Sequence, residues 1–404
     1  MPRGLFAEFP IDEYEARVSK ARKLMAENGL DALLLTQEEN IRYFAGGPLS
    51  DIYKVYHCNL FVLLPAAADA EPVLLCSYAF QGMARNTWFE DRRFWPFDPN
   101  ASLLELSQSI GLLAEVIRDK KLADATIGIE KDSGLRPGMT IKEWDELRSA
   151  LPGVTWESSA PVVWGCRKYK SPREIEKHRA ACQITCAAFE EAMHAIKPGI
   201  TEKELARIIN TRMFKEGAER RGFLSLTVGP PRGIWCDVMP ADVPVERGAL
   251  VVMDGGCEVA GYCCDMVRTV SVGPPSDNNK EMFDLAYEAQ RNVEEALAEG
   301  SVIGDIHDIS RRAFEDAGLA AYMSSGGYGQ LGHGIGLSIH ELPDLCRGSR
   351  EKFEKGMIFS IEPAVSDHPD RGQATQLFIV ENNFAITENG VERLTPLDDQ
   401  LLIV

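Results

Sequence analysis

A chain of 404 residues, 45% hydrophobic and 26% charged, has the composition of a globular protein long enough for two or three domains. Its 61 acidic against 43 basic residues leave a net charge of −18, which excludes the basic footprint that nucleic acids and anionic membranes require. Ten cysteines are scattered without a CxxC pair, so free thiols of a reducing compartment are expected rather than a zinc ribbon or a redox motif. The first residues contain no apolar signal core, and no apolar run reaches the roughly 18 residues of a membrane span, which predicts a cytoplasmic protein.

The first part of the chain alternates helix and strand patterns. Residues 11–30 repeat apolar positions at helical spacing and close on Gly29. Apolar runs at 31–37, 59–65, 72–77 and 125–132 predict strands, the second and third paired around the AAADAE turn. The sum is an α/β domain with a mixed sheet, poor in catalytic residue types, with His57 as its one histidine. A hinge is expected at 160–172. Beyond it Ser171 is placed as the N-cap of a long helix, with Pro172 in the first turn and Glu174 completing a capping box.

A weak repeat follows. The segment starting at Glu190 matches that starting at Glu294, 104 residues later, with Thr201 opposite Asp305, Glu204 opposite Asp308 and Leu205 opposite Ile309. Two such units imply a pseudo-twofold domain with a site between its halves.

The chemistry lies in the second unit's strands. LVVMDGG at 250–256 ends in Asp254, and VAGYCCDMVRTVSVG at 259–273 carries Asp265. They read as a hairpin turning around 257–261, and the period of two allows both carboxylates one face. His333 stands among glycines in LGHGIGL, with His340 seven residues later in SIHELP. Glu362 follows the apolar MIFSI, and Glu381 interrupts LFIVENNFAIT. A glutamate inside an apolar strand needs a cationic partner. Four carboxylates and an imidazole, Asp254, Asp265, His333, Glu362 and Glu381, suit a pair of divalent ions such as Mn, Fe, Co or Zn. Two such ions activate water and polarise a carbonyl together.

These contexts, in this order, resemble the group of prolidase, aminopeptidase P, methionine aminopeptidase and creatinase, peptidase family M24. The resemblance rests on GYCCDMVRT, GHGIGLSIHE, the Glu362–Pro363 dipeptide and VENNFAITENGVERLT, and GLDALLLTQEENIRYFAGG extends it to the N-terminal half. It implies an α/β (α+β) chain: a creatinase-like domain over 1–165 and a pita-bread catalytic domain over 166–404, in a homodimer. It implies Asp254 as ligand of one metal, Asp265 and Glu381 as bridging ligands, and His333 and Glu362 as ligands of the other. Glu362 would also carry a proton, and His340 would contact the substrate carbonyl.

Two departures concern the substrate. Proline-specific members carry a histidine about eleven residues before the glycine opening the first-aspartate strand, where this chain has Asp237, and an arginine two residues before the last glutamate, where it has Ile379. Arg232, Trp235 and Asp237 are therefore candidate substrate contacts, and Arg232 or Arg268 a candidate carboxylate anchor, with Arg268 placed rather as a structural partner of the metal carboxylates. The expected function is two-metal hydrolysis of the C–N bond of an Xaa-Pro type dipeptide or another small amide, with weak turnover of ordinary Xaa-Pro peptides. The alternatives on the same scaffold are an ectoine-hydrolase- or creatinase-like hydrolase and a dimethylsulfoniopropionate-type lyase. The lyase needs a carboxylate just before His340, where Ile339 stands. A non-catalytic binding protein would be expected to have lost ligands.

Overall fold

Contacts within the chain divide it into two units, Met1–Arg167 and Lys168–Val404. The structure, a computed structural model, describes residues 7–47, 49, 58–96, 108–229, 232–234, 238–323, 329–366 and 376–404. His57, Trp235 and Asp237 lie outside the described residues.

In the first unit the apolar runs form a six-stranded mixed sheet. Its strands are β1 (Ala32–Leu35), β2 (Leu60–Pro65), β3 (Val73–Ser77), β4 (Asp91–Trp95), β5 (Thr126–Ile129) and β6 (Thr155–Ser158). The order is β4-β3-β2-β1-β5-β6, with β2 antiparallel to β1 and β3, and the outer pairs parallel. Helix α1 (Ile11–Glu27) stops before Gly29, whose φ of 67° only a residue without Cβ adopts freely. Helices α2 (Glu38–Ala45), α3 (Gln108–Asp119) and α4 (Ile141–Ala150) follow. Half of the expected hinge is ordered instead: α5 (Ala160–Arg167) buries Val162, Val163, Cys166 and Arg167, and Arg167 donates to Asn40 Oδ1 at 2.7 Å. Its eight residues are too short for periodicity to reveal, and burial stabilises them where propensity does not.

The second unit opens with α6 (Pro172–Ala195), capped by Ser171 and Glu174 in a reciprocal box, then α7 (Glu202–Lys215). One sheet contains β7 (Arg220–Val228), β8 (Leu250–Val259), β9 (Tyr262–Cys263), β10 (Met266–Ser271) and β18 (Leu402–Ile403). The hairpin turns at Ala260–Gly261, and its return strand is split into β9 and β10 around Cys264 and Asp265 rather than continuous. Helices α8 (Asp277–Ala296) and α9 (Ile303–Asp316) lead to a second five-stranded sheet. It orders β12 (Glu341–Asp344), β11 (Gly332–Gly334), β13 (Ile358–Ile361), β16 (Asn382–Thr387) and β17 (Gly390–Arg393). β14 (Ala364–Ser366) and β15 (Leu377–Ile379) form a separate antiparallel pair.

The repeat is present as two helix pairs, each followed by a sheet, but its register differs from the sequence match. The turn glycines Gly199 and Gly300, with φ of 94° and 86°, and Gly217 and Gly318, with φ of 106° and 73°, stand 101 residues apart. The bridging residues Thr201 and Val302 keep the same offset. A slip of three residues is almost one helical turn, so the amphipathic pattern survives it and cannot fix register.

Each sheet of this unit has one face under helices. Leu224, Leu226, Val251, Met253 and Val270 pack against Phe189, Leu205 and Ile209 of α6 and α7. Phe359, Ile361, Phe384 and Ile386 pack with Val293 and Ile306 of α8 and α9. Period-two alternation then turns Ser225, Val252, Asp254, Val267, Ser360 and Asn383 to the opposite faces. The described cysteines are free, and all but Cys346 are buried.

Candidate metal centre

The residues turned away from the helices meet. Asp254 faces Val267 and Ser225 across β8, so its carboxylate shares their side of the sheet. Asp265 precedes β10 by one residue and has the parity of Val267. In the other sheet His333 on β11 is paired with Ser360 on β13, Glu362 follows that strand, and Glu381 stands between β15 and β16. Ligand atoms of Asp254, Asp265 and Glu381 lie within 4.8 Å of one another, as do those of His333, Glu362 and Glu381. Glu381 thus belongs to both groups. His333 Nε2 is 3.7 Å from Asp265 Oδ2 and 3.7 Å from Glu362 Oε1.

The surroundings orient these groups. His333 Nδ1 lies 3.0 Å from the Gly334 carbonyl; donating there leaves Nε2 as a lone pair facing the carboxylates. Ser360 donates its hydroxyl to Glu381 Oε1. Asn383 Oδ1 accepts the Asp265 amide at 3.0 Å. Arg268, buried, donates to the Glu381 carbonyl at 2.9 Å, to Asn382 Oδ1 at 2.9 Å and to the Leu397 carbonyl at 2.7 Å. Its guanidinium is used up holding backbone, so it does not serve as the carboxylate anchor that the sequence allowed. Burial lowers its pKa to about 10, which leaves it charged at neutral pH.

The electrostatics are those of buried carboxylates crowded together. Burial, then repulsion from Glu381, raises Asp254 and Glu362 well above the carboxylate range. Burial, then Glu381, Asp254 and Glu362, does the same to Asp265. Glu381 is pushed up to about 7 by burial, against the lowering influence of Ser360 and Arg268. Burial, with His340 adding to it, lowers His333 to about 3, so its ring is neutral. Asp265 Oδ1 is buried with no hydrogen-bond partner. Convergent carboxylates, a neutral imidazole whose Nε2 faces them and an unpartnered buried carboxylate oxygen fit divalent cations, which would remove the repulsion.

The remaining candidates sit around this cluster. His340 is exposed, stacked on His333 with ring centroids 3.6 Å apart, and has a ligand atom within 4.8 Å of those of Asp265 and His333. Arg232 directs its guanidinium to Glu202, at 3.1 Å, and to the Met239 carbonyl, at 2.9 Å. Ile379 is buried in an apolar cluster with Val252, Val267, Ala364 and Leu377 beside Asp254. Sequence reading did not single out Ser360, Asn383 or Glu202. Ser360 and Asn383 could have been found by parity, as polar residues two positions from Glu362 and Glu381 in apolar strands.

Fold and site together define a metallopeptidase-type hydrolase scaffold with a separate N-terminal α/β unit. The model of metallopeptidase family M24 matches residues 176–388, and that of the creatinase/prolidase N-terminal domain matches residues 17–169. The chain belongs to metallopeptidase family M24; it is a hydrolase with the pita-bread fold. It is 26% identical over 387 residues to the Xaa-Pro dipeptidase of Pyrococcus furiosus, covering 96% of this chain and 99% of that one. Identity to the Xaa-Pro dipeptidase of Lactobacillus helveticus is 26% over 389 residues, covering 96% and 98%. The solved Xaa-Pro dipeptidase of Bacillus anthracis superposes with a TM-score of 0.80 at 25% identity, covering 97% of this chain and 100% of that one.

Proposed function

We propose that this peptidase hydrolyses the C–N amide bond of a dipeptide or a comparably small amide, with two divalent ions held by Asp254, Asp265, His333, Glu362 and Glu381. The observation carrying this reading is the pair of donor groups that share Glu381, with His333 Nε2 turned to the carboxylates and Asp265 Oδ1 buried without a hydrogen-bond partner. When bound, the ions supply an activated water and a polarised carbonyl. The chain's own groups do the rest. Glu362, whose side chain keeps 14% exposure, reaches the open side of the cluster and can take a proton from water and return it to the leaving nitrogen. His340 is exposed at the rim but has one ring face stacked on His333, and the desolvation there lowers its pKa, so it is a neutral donor suited to the developing charge on the carbonyl oxygen.

The Xaa-Pro dipeptidases of Pyrococcus furiosus and Lactobacillus helveticus make Xaa-Pro dipeptides the first substrates to test. Ile379 favours a second reading, a compact charged amide without proline, because a buried isoleucine offers a peptide no polar contact. On that ground kcat/KM on Xaa-Pro dipeptides is expected below the ~10⁴–10⁸ M⁻¹s⁻¹ of enzymes on their own substrates. The experiment is elemental analysis of protein purified without chelator, then a panel of Xaa-Pro, other dipeptides, cyclic amides and guanidino amides with added Mn. Protein that stays metal-free yet turns over any of them would sink the metal assignment. Efficient hydrolysis of several Xaa-Pro dipeptides would remove the second reading. The homodimer implied by the family resemblance is checked by sedimentation velocity.

A further inference from the structure

Glu202 is the first residue of α7, where an acidic side chain ordinarily sits in solvent and complements the helix dipole. Here its side chain is fully buried. Oε1 accepts the Val228 amide at 2.9 Å and Arg232 Nε at 3.2 Å; Oε2 accepts the Ala241 amide at 2.8 Å and lies 3.1 Å from Arg232 Nη2. One carboxylate therefore ties together the end of β7, the start of the return toward β8, and a guanidinium between them. Arg232 extends the tie by donating to the Met239 carbonyl.

Two further contacts say where this segment is held. Ser225, opposite Asp254 in the β7–β8 register and on its face, donates to the Val238 carbonyl at 3.0 Å. Gln376, just before the strand leading to Glu381, donates to the Gly233 carbonyl at 3.1 Å. A Cβ on Gly233 would fall 2.2 Å from Gln376 Oε1, so a larger residue there would make the Gln376 amide shift. The described residues of 228–241 are thus fixed on the metal face, between the strand of Asp254 and the approach to Glu381.

We propose that Glu202 is a positioning residue for substrate recognition: through Arg232 and the amides of Val228 and Ala241 it fixes residues 228–229, 232–234 and 238–241 as a wall against which the substrate is bound, without serving the metal ions. This rests on the hydrolase reading above. A carboxylate ordered by three donors at full burial is costly to disturb, and a glutamine would set an NH2 group against the Ala241 amide or Arg232.

The test uses the metal-loaded full chain carrying Glu202→Gln, with Ser225→Ala as a milder second variant in case the first folds poorly. Metal content, kcat and KM on the best dipeptide or amide of the panel, and hydrogen exchange across 228–241 are measured. Glu202→Gln should retain the wild-type metal content, keep kcat within about threefold and raise KM at least about tenfold, with Ser225→Ala raising it less. Exchange should rise in 228–241 and not in β8 or β10. Unchanged KM despite raised exchange would reduce Glu202 to a structural tie and overturn the proposal. So would loss of metal, or a fall in kcat at constant KM. If the wild type hydrolyses nothing in the panel, the hydrolase reading falls and takes the substrate role with it; exchange then reports only on the tie, which an unchanged 228–241 would overturn as well.

Discussion

Glu381→Gln should stabilise the metal-free protein and destabilise the metal-loaded one. The sign follows from linkage: the folded-state pKa of Glu381 is raised, so its contribution is fully present below its ordinary 4.5 and is lost as pH rises through about 7. Ionising it in the fold at higher pH therefore costs about 3 kcal/mol. A neutral isostere does not incur that cost, and it relieves Asp254, Asp265 and Glu362, all of which Glu381 repels. For a unit of this size the gain corresponds to roughly 6–12 °C in Tm. Thermal melts of chelator-treated wild type and variant at pH 4.5 and pH 8 should show no difference at the lower pH and that gain at the higher. With saturating Mn the order reverses, because wild type gains ~4 kcal/mol at a thousandfold excess over Kd and the variant lacks the shared ligand. A variant that melts lower than wild type at pH 8 without metal would refute the reasoning, as would a difference that does not depend on pH.

Asp265→Ala should lose both ions, since its carboxylate reaches the groups of Asp254 and His333, and elemental analysis of the purified variant reads this directly. His333→Ala should lose metal, whereas His340→Ala should keep it and lose kcat by ~10²–10³-fold, the usual cost of one oxyanion donor. Wild-type turnover by His340→Ala on the best substrate would remove its role. Arg268→Met should cost about 3–5 kcal/mol in urea denaturation, because the Glu381, Val267, Leu397 and Asp398 carbonyls lose their donor together. A loss within about 0.5 kcal/mol would show that these carbonyls find other partners.

The parts of the site legible in the sequence are those governed by local periodicity. VVMD fixes Asp254 on the face of Val252, and the hairpin turn brings Asp265 to the same face, so two carboxylates in apolar strands already pointed to a cation. The helix over 160–167 was not legible, because eight residues carry too little periodicity and its stability comes from burial. Nor was the register of the repeat, since a three-residue slip keeps the same helix face; turn glycines at positive φ decide it. Glu202 was hidden for another reason. At the start of a helix an acidic residue is unremarkable, and its partners lie 26 to 39 residues away in sequence.

The two sides of the site differ in how they are built, and this explains why metal chemistry is more legible than substrate. The metal-facing side is made of residues in strands or at strand ends, three of them held by hydrogen bonds: His333 by the Gly334 carbonyl, the Glu381 carboxylate by Ser360, and the Asp265 amide by Asn383. Any replacement there leaves a buried carboxylate unpaired, so few sequences satisfy it. The substrate side is a segment between strands, tied at a few points by Glu202, Ser225 and Gln376. Residues between such ties can change without disturbing the sheets, whereas Ile379 is a strand residue in the apolar cluster beside Asp254. Under the proposal made for Glu202, the same five metal-facing residues would serve amides of different shape, and the wall that the ties hold would decide among them.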